Sequence, residues 1–174
     1  VREGRFLYFG PQRPALAPNT QVIDLNHQFV TPGFVDTHAH MPLGAVSMTI
    51  ADEQVLLQAE NSTEIAEWNA QQYLAYGITT IRNPGGDTAA NISYREAQRS
   101  GAVAGPRAFV AGDIIDTTHF AGLSVPVDSE DSIVNEVARQ AHLGVDFVKA
   151  YTGLDEAQVA TLVREADRHA LPVI

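Results

Sequence analysis

The feature that most constrains the fold of this chain is a regular alternation of short apolar segments with longer amphipathic ones. Apolar residues recur at the spacing of a helix face over residues 63–76, 87–100, 129–143 and 154–169. Between them lie short β-rich segments that we predict to be strands, beginning near Phe34, Ile78, Arg107, Asp146 and Leu171. Because such alternation is typical of repeated βαβ units, the sequence predicts an α/β fold with a parallel sheet.

Two α/β architectures agree with this order, a doubly wound sheet and a (β/α)8 barrel. A nucleotide-binding doubly wound sheet has a Gly-rich loop after its first strand, whereas Thr37-His-Ala-His40 stands there in this chain. Barrel enzymes collect reactive side chains at the carboxyl ends of their strands, which favours the barrel. A complete barrel takes about 250 residues. We therefore expect these 174 residues to include about the first half of a (β/α)8 TIM barrel.

Two stretches lie outside the alternation. Residues 1–30 are broken by Gly and Pro into short pieces, with candidate strands at 5–9 and 21–25. We assign 1–30 to the remnant of a small β domain and 31–174 to the barrel. Residues 47–57 mix polar and aliphatic side chains, and we predict a loop followed by a helix there.

The composition excludes several classes of function. The net charge is −10, from 11 Lys and Arg against 21 Asp and Glu, so we expect neither nucleic acid nor an anionic membrane surface as a partner. The chain has no cysteine, which excludes thiol catalysis, disulfides and Cys-based metal sites. No apolar run approaches the roughly 20 residues of a membrane span, and no signal peptide is visible. We expect a soluble protein of unknown compartment, with the cytoplasm favoured.

His38 and His40 give the first chemical signal. Side chains alternate along a strand, so both histidines point the same way, with Cα atoms roughly 7 Å apart. That separation lets both imidazoles bind one cation at about 2.1 Å from each nitrogen. Asp36 lies on the same face and is expected to orient a metal-bound histidine. The alternative is a pair of exposed loop histidines, since His-x-His is common by chance.

Lys149 gives the second signal. In the predicted strand 146–151 it shares a face with Tyr151, while its small apolar neighbours face the helices, so we expect Lys149 to point into the barrel. Burial disfavours the charged ammonium, and a neutral amine can react with carbon dioxide to give a carbamate whose two oxygens bridge two cations. The alternative is a lysine that reaches solvent or pairs with Asp146 or Asp155.

Three segments together resemble the amidohydrolase superfamily. Residues 30–40, with the pattern Pro-Gly-Phe-x-Asp-x-His-x-His, are similar to the entry into its first barrel strand. Residues 77–82 are similar to its second strand and residues 144–150 to its fourth, with Lys149 at the position of the carbamylated lysine. The pattern most resembles imidazolonepropionase-like and prolidase-like hydrolases. The resemblance implies that residues 1–30 are part of a small β-sandwich domain.

The resemblance also implies a role for each matching residue. His38 and His40 would bind the more buried of two metals, usually zinc, and Lys149, carbamylated by carbon dioxide, would bridge both. The metals would activate a water and polarise a carbonyl, so the implied activity is hydrolysis of amide, ester or cyclic amide bonds in small molecules. His119, in the loop after the third strand, and Tyr151 are candidates for substrate contacts.

The chain departs from the family pattern in what it lacks. The family takes two further His ligands from the fifth and sixth strands and an Asp proton shuttle from the eighth, whereas this chain stops at Ile174. We therefore expect an incomplete fragment, inactive alone, whose open edge favours a homo-oligomer or a complementing chain. A one-metal deaminase, against which Lys149 argues, and a non-catalytic barrel fragment acting only in an assembly are the alternatives. Asn83 stands where many relatives carry Asp, which argues against an ion pair at this position.

Overall fold

A computed structural model describes residues 1–12, 14–51 and 54–174 of the chain. The chain divides into two compact units, Val1–Pro32 and Gly33–Ile174, and each is described by itself.

In the first unit, the described residues contain an isolated β-bridge between Arg2 and Arg5 and no strand. The predicted strands at 5–9 and 21–25 are therefore wrong. Phe9 and Ile23 are 96% and 71% exposed, so among the described residues neither candidate strand has a buried face on which it could be stabilised.

In the second unit, helices and strands alternate. Their order is β1 (Phe34–Asp36), β2 (Leu43–Ala51), β3 (Gln54–Asn61), α1 (Thr63–Ala75), β4 (Ile78–Asn83), α2 (Thr88–Ser100), β5 (Arg107–Val110), β6 (Ile114–Asp116), β7 (Ser124–Pro126), α3 (Glu130–Leu143) and α4 (Glu156–Arg168). The four predicted helices are confirmed to within two residues at each end. Their first turns are capped by polar side chains that accept from the backbone: Ser62, Asp87, Ser129 and Asp155.

Three strands of the second unit pair in parallel in the order β1-β4-β5, and β6 pairs in parallel with β7. The backbone N–H of Asp146 donates to the carbonyl of Val110 at 2.8 Å, so the segment that begins at Asp146 lies beside the end of β5. The predicted strands at 146–151 and 171–174 are reduced to single parallel bridges, Ile115 with Ala150 and Val148 with Val173. The α/β class with parallel pairing is confirmed.

Between β1 and α1 the chain forms an antiparallel hairpin of β2 and β3. The predicted loop and helix over 47–57 are therefore wrong, with residues 52 and 53 lying outside the described residues. The register places Met48 opposite Leu57 and Ile50 opposite Val55. Because side chains alternate along each strand, six apolar residues, most of them exposed, share one face of the described part of the hairpin: Val46, Met48, Ile50, Val55, Leu57 and Ala59.

Two apolar clusters lie between the strands and the helices. The first cluster joins β4 and β5 to α1 and α2, through Ala39, Met41, Ala66, Ala70, Ile81, Tyr94, Ala108 and Val110. The second joins β6 and the segment around Val148 to α3 and α4, through Ile115, Val127, Ile133, Val137, Val145, Val148, Leu162 and Ala166. No helix among the described residues has both the length and the apolar character needed to cross a membrane.

Candidate functional site

The two histidines lie just beyond the carboxyl end of β1, not within it. The strand ends at Asp36, whose carboxylate accepts from the backbone N–H of His38 at 2.9 Å. The guanidinium Nε of Arg82 donates to the carbonyl of Thr37 at 2.8 Å and holds the turn from the other side. Asp36 therefore positions the backbone of His38, rather than an imidazole as the sequence predicts.

The rings of His38 and His40 lie side by side, with centroids 5.3 Å apart and planes at 63°. Ala39 between them is buried in the first apolar cluster, so the two rings project away from that core. Two imidazoles that bind one cation tetrahedrally at about 2.1 Å would have centroids about 5.3 Å apart. The observed centroid distance therefore equals the one expected for two imidazoles on one metal ion.

A backbone carbonyl orients the half-buried ring of His40. Nδ1 of His40 donates to the carbonyl oxygen of Gly85 at 2.8 Å, which leaves the lone pair on Nε2. Burial lowers the pKa of His40, the Gly85 hydrogen bond opposes that shift, and the positive charges of His38 and Lys149 add to it. The neutral ring that a metal requires is thus favoured.

Lys149 is half-buried between the bridges at Val148 and Ala150. Its charge acts on His40, and its Nζ lies 5.8 Å from the ring centroid of Tyr151. Lys149 thus lies within electrostatic reach of His40.

The two carboxylates that the alternative interpretation pairs with Lys149 have other partners. Asp146 accepts from the Arg95 guanidinium at 2.9 Å and from the backbone N–H of Val110 at 2.9 Å. Asp155 caps α4 by accepting from the backbone N–H of Gln158 at 2.8 Å.

A cavity of about 180 Å³ lies beside Tyr151, whose side chain is half exposed. His119 stands between two residues of the cavity wall, but its own side chain is exposed. The structure therefore brings Tyr151 next to Lys149 and leaves His119 at the surface. The wall is formed by Ile114, Asp116, Thr118, Phe120, Leu123, Ser124 and Tyr151.

The donor set within the described part of the chain is incomplete. Across residues 1–12, 14–51 and 54–174, no group of three or more His, Cys, Asp and Glu side chains is arranged to hold a metal. His38 and His40 supply two nitrogens, and Lys149 becomes a ligand only as a carbamate. A zinc site takes at least three protein ligands, so the two histidines alone do not make one.

Sequence reasoning missed the residues that support His40. Gly85 has a φ of +145°, and a Cβ atom there would overlap the side chain of Ile114. Asn83 and Asn91 are completely buried and bonded to each other. The available signal was the run Asn83-Pro-Gly-Gly86, since two consecutive glycines often mark a backbone conformation that other residues avoid. In place of an ion pair, Asn83 makes this amide–amide hydrogen bond.

The sequence matches one family model and short stretches of known proteins. A family model described as the amidohydrolase family matches residues 29–172. Imidazolonepropionase of Myxococcus xanthus (strain DK1622) is 49% identical over 45 residues, covering 24% of this chain and 11% of that protein. Adenine deaminase of Paracoccus denitrificans (strain Pd 1222) is 40% identical over 48 residues, covering 27% of this chain and 8% of that protein.

Solved structures are similar over most of this chain. The crystal structure of an amidohydrolase matches with a TM-score of 0.70 and 21% identity, covering 92% of this chain and 46% of that one. A Xaa-Pro dipeptidase with methionine bound in its active site matches with a TM-score of 0.62 and 23% identity, covering 82% of this chain and 42% of that one. This chain spans less than half the length of each of these proteins.

Proposed function

Because the chain belongs to the amidohydrolase family, we propose that the protein containing it is a metal-dependent hydrolase of amide, ester or cyclic amide bonds in small molecules. The observation that carries the proposal is the position of the His38 and His40 rings, 5.3 Å apart and within the electrostatic reach of Lys149. The hydrolases among the similar solved structures support the same reaction class.

We propose that His38 and His40 hold a divalent metal ion, with zinc as the first candidate. We propose that carbamylated Lys149 would bind this ion and a second metal ion. In the carbamylation, the neutral amine of Lys149 loses one proton as its nitrogen forms a bond to the carbon of carbon dioxide. The product is an anionic ligand with two oxygens. When bound, the metal ions would polarise the scissile carbonyl and lower the pKa of a water molecule.

The remaining residues of the site would bind and orient the substrate. Tyr151 lines the 180 Å³ cavity, and its ring centroid lies 5.8 Å from Nζ of Lys149, so a group held in that cavity would contact the ring that neighbours Lys149. The mostly apolar wall suits a small organic substituent. His119, on the exposed rim, would contact only parts of a substrate that extend beyond the cavity.

We propose further that the parallel strands form about the first half of a (β/α)8 barrel and that residues 1–30 belong to a small β-sandwich domain. The similarity to solved amidohydrolases over less than half of their length supports this division. The missing metal ligands would then come from a segment outside these 174 residues, in the same chain or in a complementing one.

The decisive experiment is metal analysis and hydrolysis by the protein that contains this chain, purified with zinc and bicarbonate. A panel of dipeptides, N-acyl amino acids and lactams serves as substrate. We expect His38→Asn, His40→Asn and Lys149→Met to lose bound metal and hydrolysis together. His142→Asn, at the exposed end of α3, is the matched control and should retain both. Unchanged metal content and hydrolysis in the His38 and His40 variants would overturn the proposal.

A one-metal deaminase is the second candidate, and the match to an adenine deaminase favours it. The two candidates differ at Lys149, because only the hydrolase uses its carbamate. Intact mass measurement, metal content per chain and ammonia release from aminopurines distinguish them. One metal, an unmodified Lys149 and released ammonia would support the deaminase. Two metals and a lysine heavier by one carbon dioxide would exclude it.

A further inference from the structure

We propose that Asn83 and Asn91 are positioning residues for His40. Their amide pair fixes the turn that carries the Gly85 carbonyl, and that carbonyl holds the His40 ring with its Nε2 lone pair free. The use of Nε2 for a metal rests on the proposed function, whereas the fixed ring tautomer does not.

The amide pair is completely buried and bonded at both ends. Nδ2 of Asn83 donates to Oδ1 of Asn91 at 2.7 Å, and Nδ2 of Asn91 donates to the carbonyl of Ala111 at 3.0 Å. Oδ1 of Asn83 accepts from the backbone N–H of Gly85 at 3.3 Å. Since buried amides require partners, each of these contacts constrains the next. The chain of bonds runs from Ala111, just after β5, through Asn91 of α2 and Asn83, to the Gly85 peptide.

The backbone of the turn is restricted on its other sides as well. Asn83 ends β4, and its carbonyl accepts from the N–H of Ala111 at 2.9 Å, which anchors the start of the turn in the sheet. Gly85 and Gly86 have φ values of +145° and +133°, which side-chain-bearing residues rarely adopt. The Ile114 side chain fills the space that a Cβ of Gly85 would occupy. The Gly85 carbonyl therefore has a fixed direction.

That direction determines which nitrogen of His40 can bind a cation. A neutral imidazole carries one N–H, and the hydrogen bond made by one nitrogen decides the state of the other. With Gly85 in place, Nδ1 carries the hydrogen and Nε2 carries the lone pair. If the turn relaxes, both tautomers become populated and the ring rotates more freely. Losing such an outer hydrogen bond typically weakens metal binding by about 10- to 100-fold.

The first test is independent of metal. The protein that contains this chain is labelled with ¹⁵N-histidine, stripped of metal and examined at pH 8 by long-range ¹H–¹⁵N correlation. The His40 signal is identified by its loss in His40→Asn. We expect the parent to show the Nδ1–H tautomer and both Asn91→Ala and Asn83→Ala to show a mixture. Asn83→Asp keeps an oxygen acceptor for the Gly85 N–H but loses the donor to Oδ1 of Asn91, so it should also show a mixture.

Tyr94→Phe is the matched control, which tests whether losing any buried hydrogen bond from α2 changes the His40 tautomer. Tyr94 lies on the same helix as Asn91, and its hydroxyl donates to the Pro106 carbonyl at 3.0 Å, so the variant also loses one buried hydrogen bond to a backbone carbonyl. We expect Tyr94→Phe to destabilise the fold without changing the His40 tautomer. If Asn91→Ala fails to fold, Asn91→Ser replaces it with the same expectation.

The second test is a titration of the metal-free protein with zinc alone, in which calorimetry measures the binding. Asn91→Ala and Asn83→Ala should bind zinc about 10-fold or more weakly than the parent, and Tyr94→Phe should bind it equally well. An unchanged Nδ1–H tautomer in both alanine variants would overturn the inference. A parent that holds the Nδ1–H tautomer but binds no zinc would instead overturn the proposed function and leave the positioning of His40 intact.

Discussion

Arg95 of α2 and Asp146, which begins the segment that carries Lys149, form an ion pair with 2.9 Å between Nη1 and Oδ2. The guanidinium is only 6% exposed and also donates to the carbonyl of Gly144 at 2.8 Å. The same carboxylate oxygen accepts from the backbone N–H of Val110 at 2.9 Å. This pair therefore joins a helix, a strand and the lysine segment at one point.

Removing the Arg95 guanidinium should destabilise the fold strongly. Arg95→Met leaves the Asp146 carboxylate and the Gly144 carbonyl without their buried donor, so we expect a loss of about 3 kcal/mol in the free energy of unfolding. Urea denaturation followed by circular dichroism measures it. Arg168→Met is the control, because the Arg168 side chain is 64% exposed and its buried partner Glu165 keeps a second contact, with Nε2 of His169 at 3.4 Å. The control should lose less than about 1 kcal/mol, and equal losses would contradict this account.

Gly85→Ala should destabilise the fold more than the same change at another glycine with positive φ. The new methyl group would meet Ile114, and alanine would have to adopt a φ of +145°. We expect a loss of about 2 kcal/mol or more in the free energy of unfolding. Gly101→Ala is the comparison, since Gly101 has a φ of +80° in open space. Gly101→Ala should lose about 1 kcal/mol in the free energy of unfolding. Thermal denaturation measures both variants, and equal losses would be inconsistent with a tight turn at Gly85.

Tyr94 should make the fold sensitive to alkali. Burial raises the pKa of Tyr94 well above the ordinary value of 10.0. A group whose pKa is raised in the folded state contributes stability that is complete below the unfolded pKa and is lost as the pH rises above it. We therefore expect the free energy of unfolding to fall above about pH 10 and to fall less steeply in Tyr94→Phe. Denaturation series from pH 8 to pH 11 provide the comparison, and parallel curves would disprove the assignment.

Asp155 and Lys149 should act independently. Asp155 accepts from the N–H of Gln158 in the first turn of α4, so Asp155→Ala should cost about 1 kcal/mol of stability through loss of the cap. If Asp155 paired with Lys149 instead, the double variant with Lys149→Met would show a coupling energy. We expect the two effects to add within about 0.5 kcal/mol in a double-mutant cycle.

The helices could be predicted because their signals are local. Ser129 and Asp155 begin two of the helices, while Gly101 and Gly144 end two in the left-handed conformation that glycine adopts freely. Trp68 shows the limit of such reasoning: it lies in a correctly predicted helix, but local signals do not reveal that its large aromatic side chain is 63% exposed.

The hairpin was the main error in the second unit. From Val46 to Ile50, apolar and polar residues alternate in the period of a strand, but Val55-Leu-Leu does not alternate, and together the two stretches resemble an irregular helix. Pairing of β2 with β3, which the sequence does not show directly, resolves the ambiguity.

Part of the candidate site could be predicted from the sequence, and part of it depends on contacts that only the folded structure shows. His38, His40 and Lys149 could be singled out because imidazoles and a lysine amine have distinctive chemistry and spacing. The Gly85 carbonyl could not, because every residue has one and its contact with His40 spans 45 positions of the chain. The Asn83–Asn91 bond joins a strand to a helix and becomes visible only once the two elements are packed.

Val148 and Lys149 are neighbours in the chain. Val148 is completely buried in the second apolar cluster, whereas Lys149 lies within electrostatic reach of His40. One inserted or deleted residue just before Val148 would exchange these surroundings. It would force an amine into the apolar layer and an isopropyl group toward the imidazoles. Length changes in this stretch should therefore be far less tolerated than substitutions, and loops elsewhere would have to absorb any insertions that the protein acquires.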